Sequence, residues 1–167
     1  MPKQKIMLKL LERGQLGEYY AVFLEAKENG ELGNNITPPK SMASLLKDYA
    51  EHKPDYFLIK SQGPKNPGNK ETIGAIGASY NARIKEGTIF NQFVKAKYRG
   101  RGIGTEVANE VEKHLAKKGA KTISMSIKWS FFRQMRWALK AGYLPSLFLP
   151  IKIFDGKIFV RLRKTIK

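Results

Sequence analysis

The sequence predicts a single α/β (α+β) domain, 1–167, of about seven strands and about four helices. Three observations lead there. Short apolar alternations of strand period recur along the whole chain, and stretches of helical period stand between them. One glycine-rich loop, Arg99-Gly100-Arg101-Gly102-Ile103-Gly104, joins a strand pattern to a helix pattern. A chain of 167 residues, 42% of them hydrophobic, is also large enough to bury a substantial core in one unit.

The elements follow in order. Alternation over Lys5 to Leu10 places Ile6, Leu8 and Leu10 on one face of an opening strand. Leu16, Tyr19, Tyr20, Phe23 and Leu24 recur at helical spacing and stop at Gly30. A second helix, signalled by Met42, Leu45, Leu46 and Tyr49, follows Pro38-Pro39. Strands at Tyr56–Lys60 and Ile73–Tyr80 flank the turn-rich stretch Gln62 to Lys70 and read as an antiparallel hairpin. Within that stretch Gly63 and Gly68 have P-loop spacing, but Asn69 stands where the lysine belongs, so it reads as a hairpin loop.

A strand at Thr88–Val94 leads through Lys95-Ala96-Lys97-Tyr98 into the glycine loop. Ile103, Val107, Val111 and Leu115 then mark one face of a helix ending near Gly119. Thr122 to Ile127 alternates as a half-buried strand, and Phe131, Phe132, Met135 and Leu139 return to helical period before Gly142. Two closing strands, Phe148–Phe154 and Ile158–Arg163, flank Asp155-Gly156, a favoured dipeptide of type I′ hairpin turns.

Composition narrows the chemistry. Without cysteine there is no disulfide framework, thiolate metal site or thiol nucleophile, and two histidines, His52 and His114, point away from a metal centre. No apolar run approaches the roughly 18 residues of a membrane-spanning helix. Lys9 and Glu12 interrupt the stretch where a signal-peptide core would lie. A soluble, cytoplasmic protein without a membrane partner is expected. The net charge of +17 and pI near 10.1 attract polyanions, which makes nucleic acid or a ribosomal surface a partner to test. The same charge, spread from Lys3 to Lys167 with no long basic tail, also reads as a solvated lysine surface.

The glycine loop carries the sharpest signal. Gly100, Gly102 and Gly104 lack the β-carbons that would hold a ligand off the backbone, so successive N–H groups can turn toward one point. A helix starting at the loop adds unpaired N–H groups and the positive end of its dipole, and Arg99 and Arg101 add charge-assisted donors. Such a loop cradles phosphate. A dinucleotide fingerprint fits poorly, because Gly102-Ile103-Gly104-Thr105-Glu106-Val107 lacks the last glycine. A disordered Arg/Gly tract would be repetitive, and a ligand-free tight turn is the plain structural alternative.

In these residues the chain resembles the GNAT superfamily of acyl-CoA-dependent N-acyltransferases. The family signature is Arg or Gln, two residues, Gly, one residue, Gly or Ala, and Arg99 to Gly104 fits it. Val94 lies five residues before Arg99, as the family's strand-end valine does, and Lys140-Ala141-Gly142-Tyr143 looks like the family's ending to the next helix. The match covers about Thr88 to Tyr143. It implies a mixed, mostly antiparallel central sheet with helices on its faces. It also implies acetyl-CoA as the acyl donor, the pantetheine pairing at Gln92, Phe93 and Val94 and the pyrophosphate resting on Arg99 to Thr105. By the same resemblance, a neutral amine attacks the thioester directly, a main-chain N–H near Val94 polarises its carbonyl, and a base and an acid handle the protons.

Two positions depart from the family pattern. Ala138 stands where many members carry a tyrosine, and Phe131 where an asparagine is common. The usual acid for the thiolate is therefore missing, leaving Tyr143, Tyr98, Tyr80 or bound water. A glutamate that some members place six residues before the valine is Thr88 here. Glu86, one side-chain repeat earlier on the same face, becomes the candidate base. His114, mid-helix, reads as structural. Phe131, Phe132 and Trp137 read as core, or as the lining of an acceptor pocket.

Two functions follow. One is an N-acetyltransferase whose acceptor is an unidentified primary amine, the charge favouring one on an acidic macromolecule such as RNA, a ribosomal component or a protein. The other is a catalytically weak or inactive GNAT-like nucleic-acid-binding module.

Overall fold

The computed structural model describes residues 5–32, 36, 39–62, 70–146, 151–154 and 157–166. Pro38, the Gly63 to Asn69 loop, Phe148 and the Asp155-Gly156 turn lie outside the described residues.

The chain runs β1 (Lys5–Leu10), α1 (Leu16–Glu28), α2 (Met42–His52), β2 (Asp55–Gln62), β3 (Lys70–Asn81), β4 (Glu86–Val94), α3 (Ile103–Lys117), β5 (Thr122–Lys128), α4 (Phe132–Lys140), β6 (Leu144–Pro145), β7 (Ile151–Phe154) and β8 (Lys157–Thr165). The helix stops expected at Gly30, Gly119 and Gly142 are observed. At the start of α2, the Ser41 hydroxyl accepts from the Ser44 N–H and the Ser44 hydroxyl from the Ser41 N–H, a reciprocal cap.

All strands join one sheet in the order β1-β2-β3-β4-β5-β8-β6, with β7 also on β8. Because β6 pairs with Leu162 and Arg163 and β7 with residues from Lys157 to Val160, they share the outer edge of β8. Across the described sheet there are thus seven strand positions. Every pairing is antiparallel except β4 with β5. The parallel step follows from the connection, since a strand, helix and strand in succession return the chain in its original direction.

The sheet separates two cores. Tyr56 and Leu58 of β2 face α1 and α2, with Leu16, Tyr19, Phe23 and Leu45. Phe57 and Ile59 face the opposite way, toward Val107, Val111 and Leu115 of α3 and Ala138 of α4. The two-residue period of β2 thus feeds both layers.

Some apolar positions differ from the expected pattern. Leu10 is 48% exposed, because the chain leaves the strand there and Leu11 turns inward, its N–H bonded to the Tyr56 carbonyl. Phe132 and Leu139 lie on the outside of α4, where Ala138 is buried and Phe131, Met135 and Trp137 pack against the core. The apolar residues of this helix define two overlapping faces, and the one holding the small Ala138 is the one that docks.

Candidate active site

Two irregularities of β4 open the sheet. It pairs with β5 only from Glu86 to Thr88, against Thr122 to Ser124. From Ile89 to Val94 that edge of β4 has no strand beside it among the described residues, while β5 continues along β8 to Lys128. The second is a bulge: Ala75 pairs with Phe93 but Gly77 with Phe90, so Asn91 and Gln92 oppose Ile76 alone. Asn91 takes a φ of +51°, in the left-handed region that asparagine tolerates better than most residues. Gly77 makes room for this, since a β-carbon there would sit 2.2 Å from the Phe90 ring.

Beyond Val94 the chain makes a short 3₁₀ turn, Ala96–Tyr98, and reaches the glycine loop. Gly100 and Gly102 both have φ of +77°, and a β-carbon on either would meet nothing within 4 Å. Main-chain bonding resumes at the Thr105 and Glu106 N–H groups, which share the Gly102 carbonyl. Among the described residues the N–H groups from Gly100 to Gly104 have no main-chain acceptor, so the loop and the first turn of α3 present a run of donors.

Side chains hold the loop in place. Arg99 donates from Nε to the Val94 carbonyl (2.7 Å) and from Nη2 to the Glu31 carbonyl (2.5 Å). Its guanidinium therefore anchors the loop to β4 and to the segment after α1. Lys95 pairs with Glu25 at 2.6 Å, and the Ala96 N–H donates to the Glu31 carboxylate. Arg101 bonds the Lys97 carbonyl and lies over the Tyr98 ring. The Gln92 side-chain amide donates to the Gly104 carbonyl at 2.7 Å, joining the bulge to α3.

Between the open edge of β4, the loop and α4 lies a cleft of about 580 Å³. Gln92, Phe93, Val94, Arg99, Gly100, Gly102, Ile103 and Gly104 line it, together with Ile36 and Tyr98. Most of the residues expected to hold an acyl-CoA thus come together on one cavity. Arg101 and Thr105 are not in its lining, but the Thr105 hydroxyl accepts the Trp137 indole N–H at 2.8 Å, and Trp137 is in the lining. Accepting this bond leaves the Thr105 O–H proton free to be donated. The opposite wall is α4, with Phe131, Arg133, Gln134 and Trp137. Arg133 and Gln134 are absent from the expected site, because their helix has no glycine signature and its apolar residues read as packing.

The donor set suits a pyrophosphate thioester. Free N–H groups at a helix start accept phosphate oxygens, Arg133 supplies a cation, and the vacant edge of β4 offers main-chain groups to an extended amide-bearing arm.

Glu86 does not join this site. It lies at the opposite end of β4 from Val94, roughly 26 Å away at about 3.3 Å per strand residue. Its carboxylate is buried, accepting from the Ser124 hydroxyl at 2.8 Å and from Arg161 and Arg163. Burial alone would raise its pKa, but the Ser124 bond and the two guanidiniums outweigh it and hold the carboxyl below its ordinary range. Glu86 is a structural counter-ion joining β4 to β5 and β8; a carboxylate so held is a poor base.

The alternative acids are also engaged. Tyr143 donates to Glu112 at 2.7 Å inside the core, and burial and that acceptor push its pKa up. Tyr98, in the cleft wall, donates to Glu71, and burial with this bond raises its pKa too. Tyr80 packs on the α3 core beside the β4 end remote from the loop. His114 bonds Asp55 at 2.9 Å and meets the Phe57 ring edge-on, as a structural histidine does. Among the described residues no group of three His, Asp or Glu gathers to hold a metal ion, and no helix is long and apolar enough to cross a membrane.

A sheet splayed beside a bulged strand, with free N–H groups at the mouth of the gap, defines an acyl-CoA-dependent transferase. Residues 21–143 match the model of the acetyltransferase (GNAT) family, and the chain belongs to that family. Solved structures agree in fold. A spermidine N-acetyltransferase chimera from Vibrio cholerae and hSSAT is 15% identical, with 96% of this chain and 95% of that one covered and a TM-score of 0.70. AAC(6')-Ib in complex with ribostamycin and coenzyme A is 16% identical over 96% and 93%, at 0.70. An IAA acetyltransferase from Bacillus cereus is 15% identical over 97% and 100%, at 0.66. No curated protein sequence matches the chain.

Proposed function

We propose that this protein is an N-acetyltransferase that moves an acetyl group from acetyl-CoA directly to a primary amine carried by an acidic macromolecule. The cleft that joins the open edge of β4 to the free N–H groups of Gly100 to Gly104 carries this reading. In it, the pantetheine arm lies along Gln92, Phe93 and Val94, and the pyrophosphate rests on Arg99 to Thr105 with Arg133 beside it. Coenzyme A itself bound to AAC(6')-Ib supports the choice of donor. A main-chain N–H at the splayed edge polarises the thioester carbonyl, and the neutral amine forms the C–N bond as the C–S bond breaks, its surplus proton passing to solvent water. Holding both reactants can supply effective molarities of about 10⁵ M or more. With Tyr98 and Tyr143 tied to carboxylates, solvent water is the proton donor this reading assigns to the thiolate.

The distribution of charge supports an anionic carrier. From Lys113 to the C-terminus the chain holds fourteen Lys and Arg but a single acidic residue, Asp155. The net charge of +17 is therefore concentrated in the last third of the chain, where a polyanion would gain most.

Labelled acetyl-CoA offered with RNA, ribosomes, acidic proteins and small amines tests the reading. Label transferred to an amine of one of the macromolecules is the expected result. Salt-sensitive RNA binding without acetyl-CoA binding would instead establish an inactive nucleic-acid module.

A further inference from the structure

The outer face of α4 carries aromatic and cationic side chains together. At about 100° per residue, Leu139, Phe132, Arg136, Lys140 and Arg133 fall within an arc of roughly 120°. Away from this arc Ala138 is buried, and Phe131, Met135 and Trp137 pack against the core. Phe132, Arg136 and Lys140 follow at intervals of four and form one ridge along the helix. Phe132 is 72% exposed, the most exposed large apolar side chain among the described residues. Trp129, just beyond β5 and three residues before Phe132, is 58% exposed.

The cations of the arc lack counter-ions. No Asp or Glu occurs between Lys113 and Phe154. Among the described residues the side chains of Arg133, Arg136 and Lys140 make no ion pair or hydrogen bond. Elsewhere on the surface, Lys97, Lys113 and Lys118 each sit on a carboxylate. The positive field is thus left open at α4, where it can draw in an external anion.

The chemistry of the arc selects its occupant. A second copy of the chain would bring like charges face to face in a two-fold contact. A membrane surface needs an apolar stripe to insert, but α4 has nine residues and most of its apolar side chains already face the protein. An acidic protein would engage the cations and leave the rings in water. Unpaired RNA engages both, because its phosphates meet the cations while its splayed bases stack on ring faces. A duplex keeps its bases stacked on one another and offers the rings nothing.

We propose that the outer face of α4 binds unpaired RNA, with Arg136 and Lys140 on phosphates and Phe132 and Trp129 as stacking platforms for bases. The assignment rests on the anionic-carrier reading above and names the carrier. Arg133 stands at the border of the arc and also lines the donor cleft. A strand held on α4 therefore runs beside one wall of that cleft, close to where an acyl group would be delivered.

The test is fluorescence anisotropy with a labelled, unpaired RNA of about 12 nucleotides, in the absence of acetyl-CoA. Phe132→Ala and Trp129→Ala should each weaken binding at least about fivefold, the effect of losing one stacked base. Arg136→Gln should reduce the slope of log affinity against log salt by about 0.7, the share of one single-strand phosphate. Phe132 and Arg136 are exposed, so their variants should keep the wild-type melting temperature and acetyl-CoA affinity. Lys47→Gln, at an exposed position of α2 across the sheet, should leave RNA affinity unchanged. An equal loss in Lys47→Gln would reduce the binding to diffuse charge attraction and overturn the assignment. Unchanged affinity in Phe132→Ala, or no RNA binding at all, would overturn it too. So would tighter binding of the same RNA as a duplex, of polyglutamate, or of phosphatidylserine vesicles. If the variants behaved as expected but no label passed from acetyl-CoA to an RNA-borne amine, the α4 surface would stand and the RNA-carrier acetylation would fall.

Discussion

The indole N–H of Trp137 donates to the Thr105 hydroxyl across 2.8 Å, so the wall of the cleft formed by α4 is pinned to the first turn of α3. This bond orients a hydroxyl at the helix start whose remaining proton is available to an anion. Trp137→Phe keeps the ring packing and removes the donor. The lost bond should cost about 1 kcal/mol of stability, the usual contribution of one hydrogen bond, seen as a melting temperature lower by a few degrees. Acetyl-CoA binding, followed by calorimetry, should weaken as well, because the Thr105 hydroxyl is no longer oriented.

Gly102→Glu should abolish acetyl-CoA binding. The position has φ of +77° and open space where the side chain would grow, so the new carboxylate stands beside the free N–H groups. Gly102→Ala separates the two effects: left-handed backbone costs a non-glycine residue about 1–2 kcal/mol, visible as a lower melting temperature. That variant should retain donor binding. If the glutamate variant folded and still bound acetyl-CoA, the cradle would have to lie elsewhere.

For Glu86→Gln the expected loss is in stability. Removing one partner of a buried ion pair costs about 3–5 kcal/mol, but Arg161 and Arg163 are about one-third exposed, which favours the lower end. Denaturant unfolding should show this deficit, while turnover per folded molecule stays near wild type. A collapse of turnover in the folded variant would restore Glu86 to the chemistry.

The same carboxylate sets an acid limit. Its pKa is lowered in the folded protein, so as pH falls the unfolded chain takes up the proton first, near the ordinary value of 4.5. The contribution of Glu86 is complete above that value and is lost as pH drops through the lowered native one. Unfolding curves of wild type and Glu86→Gln should therefore converge on acidification and separate toward neutral pH.

An anionic carrier predicts a salt signature. Acetylation of a macromolecular acceptor should fall steeply between 50 and 200 mM salt, by orders of magnitude if several phosphates are contacted, roughly 10³-fold or more for six. Acetylation of a small monocationic amine should not fall in this way. Equal salt dependence in parallel rate measurements would argue against the carrier.

Much of this was legible in the sequence because it is local. Glycines at Gly100, Gly102 and Gly104 between a strand pattern and a helix pattern announce a backbone with unusual φ and unpaired N–H groups, whatever the tertiary context. The apolar periods of β2 and α3 likewise report faces that exist before packing. The partners of Glu86 are hidden for the opposite reason. Strand alternation gives the face on which a carboxylate lies, but Arg161 and Arg163 reach it from more than seventy residues away in sequence, through the β5–β8 pairing. Arg133 and Gln134 were hidden similarly, since only the docking of α4 makes a cleft wall of them. Phe132 and Leu139 carried the right helical period but not the buried face, which the small Ala138 determined.

The short pairing of β4 with β5 has a mechanical consequence. From Glu86 to Thr88 the two halves of the sheet are stitched; beyond that, main-chain bonding across the gap stops, and the Gln92 and Trp137 bonds fasten the gap's rims to α3. An extended molecule lying along β4 in that gap would stand in the place of a missing strand, completing the sheet as it binds. The protein's stiffness would then be partly borrowed from its substrate and returned at each turnover, so that release of product and loosening of the C-terminal half become one event.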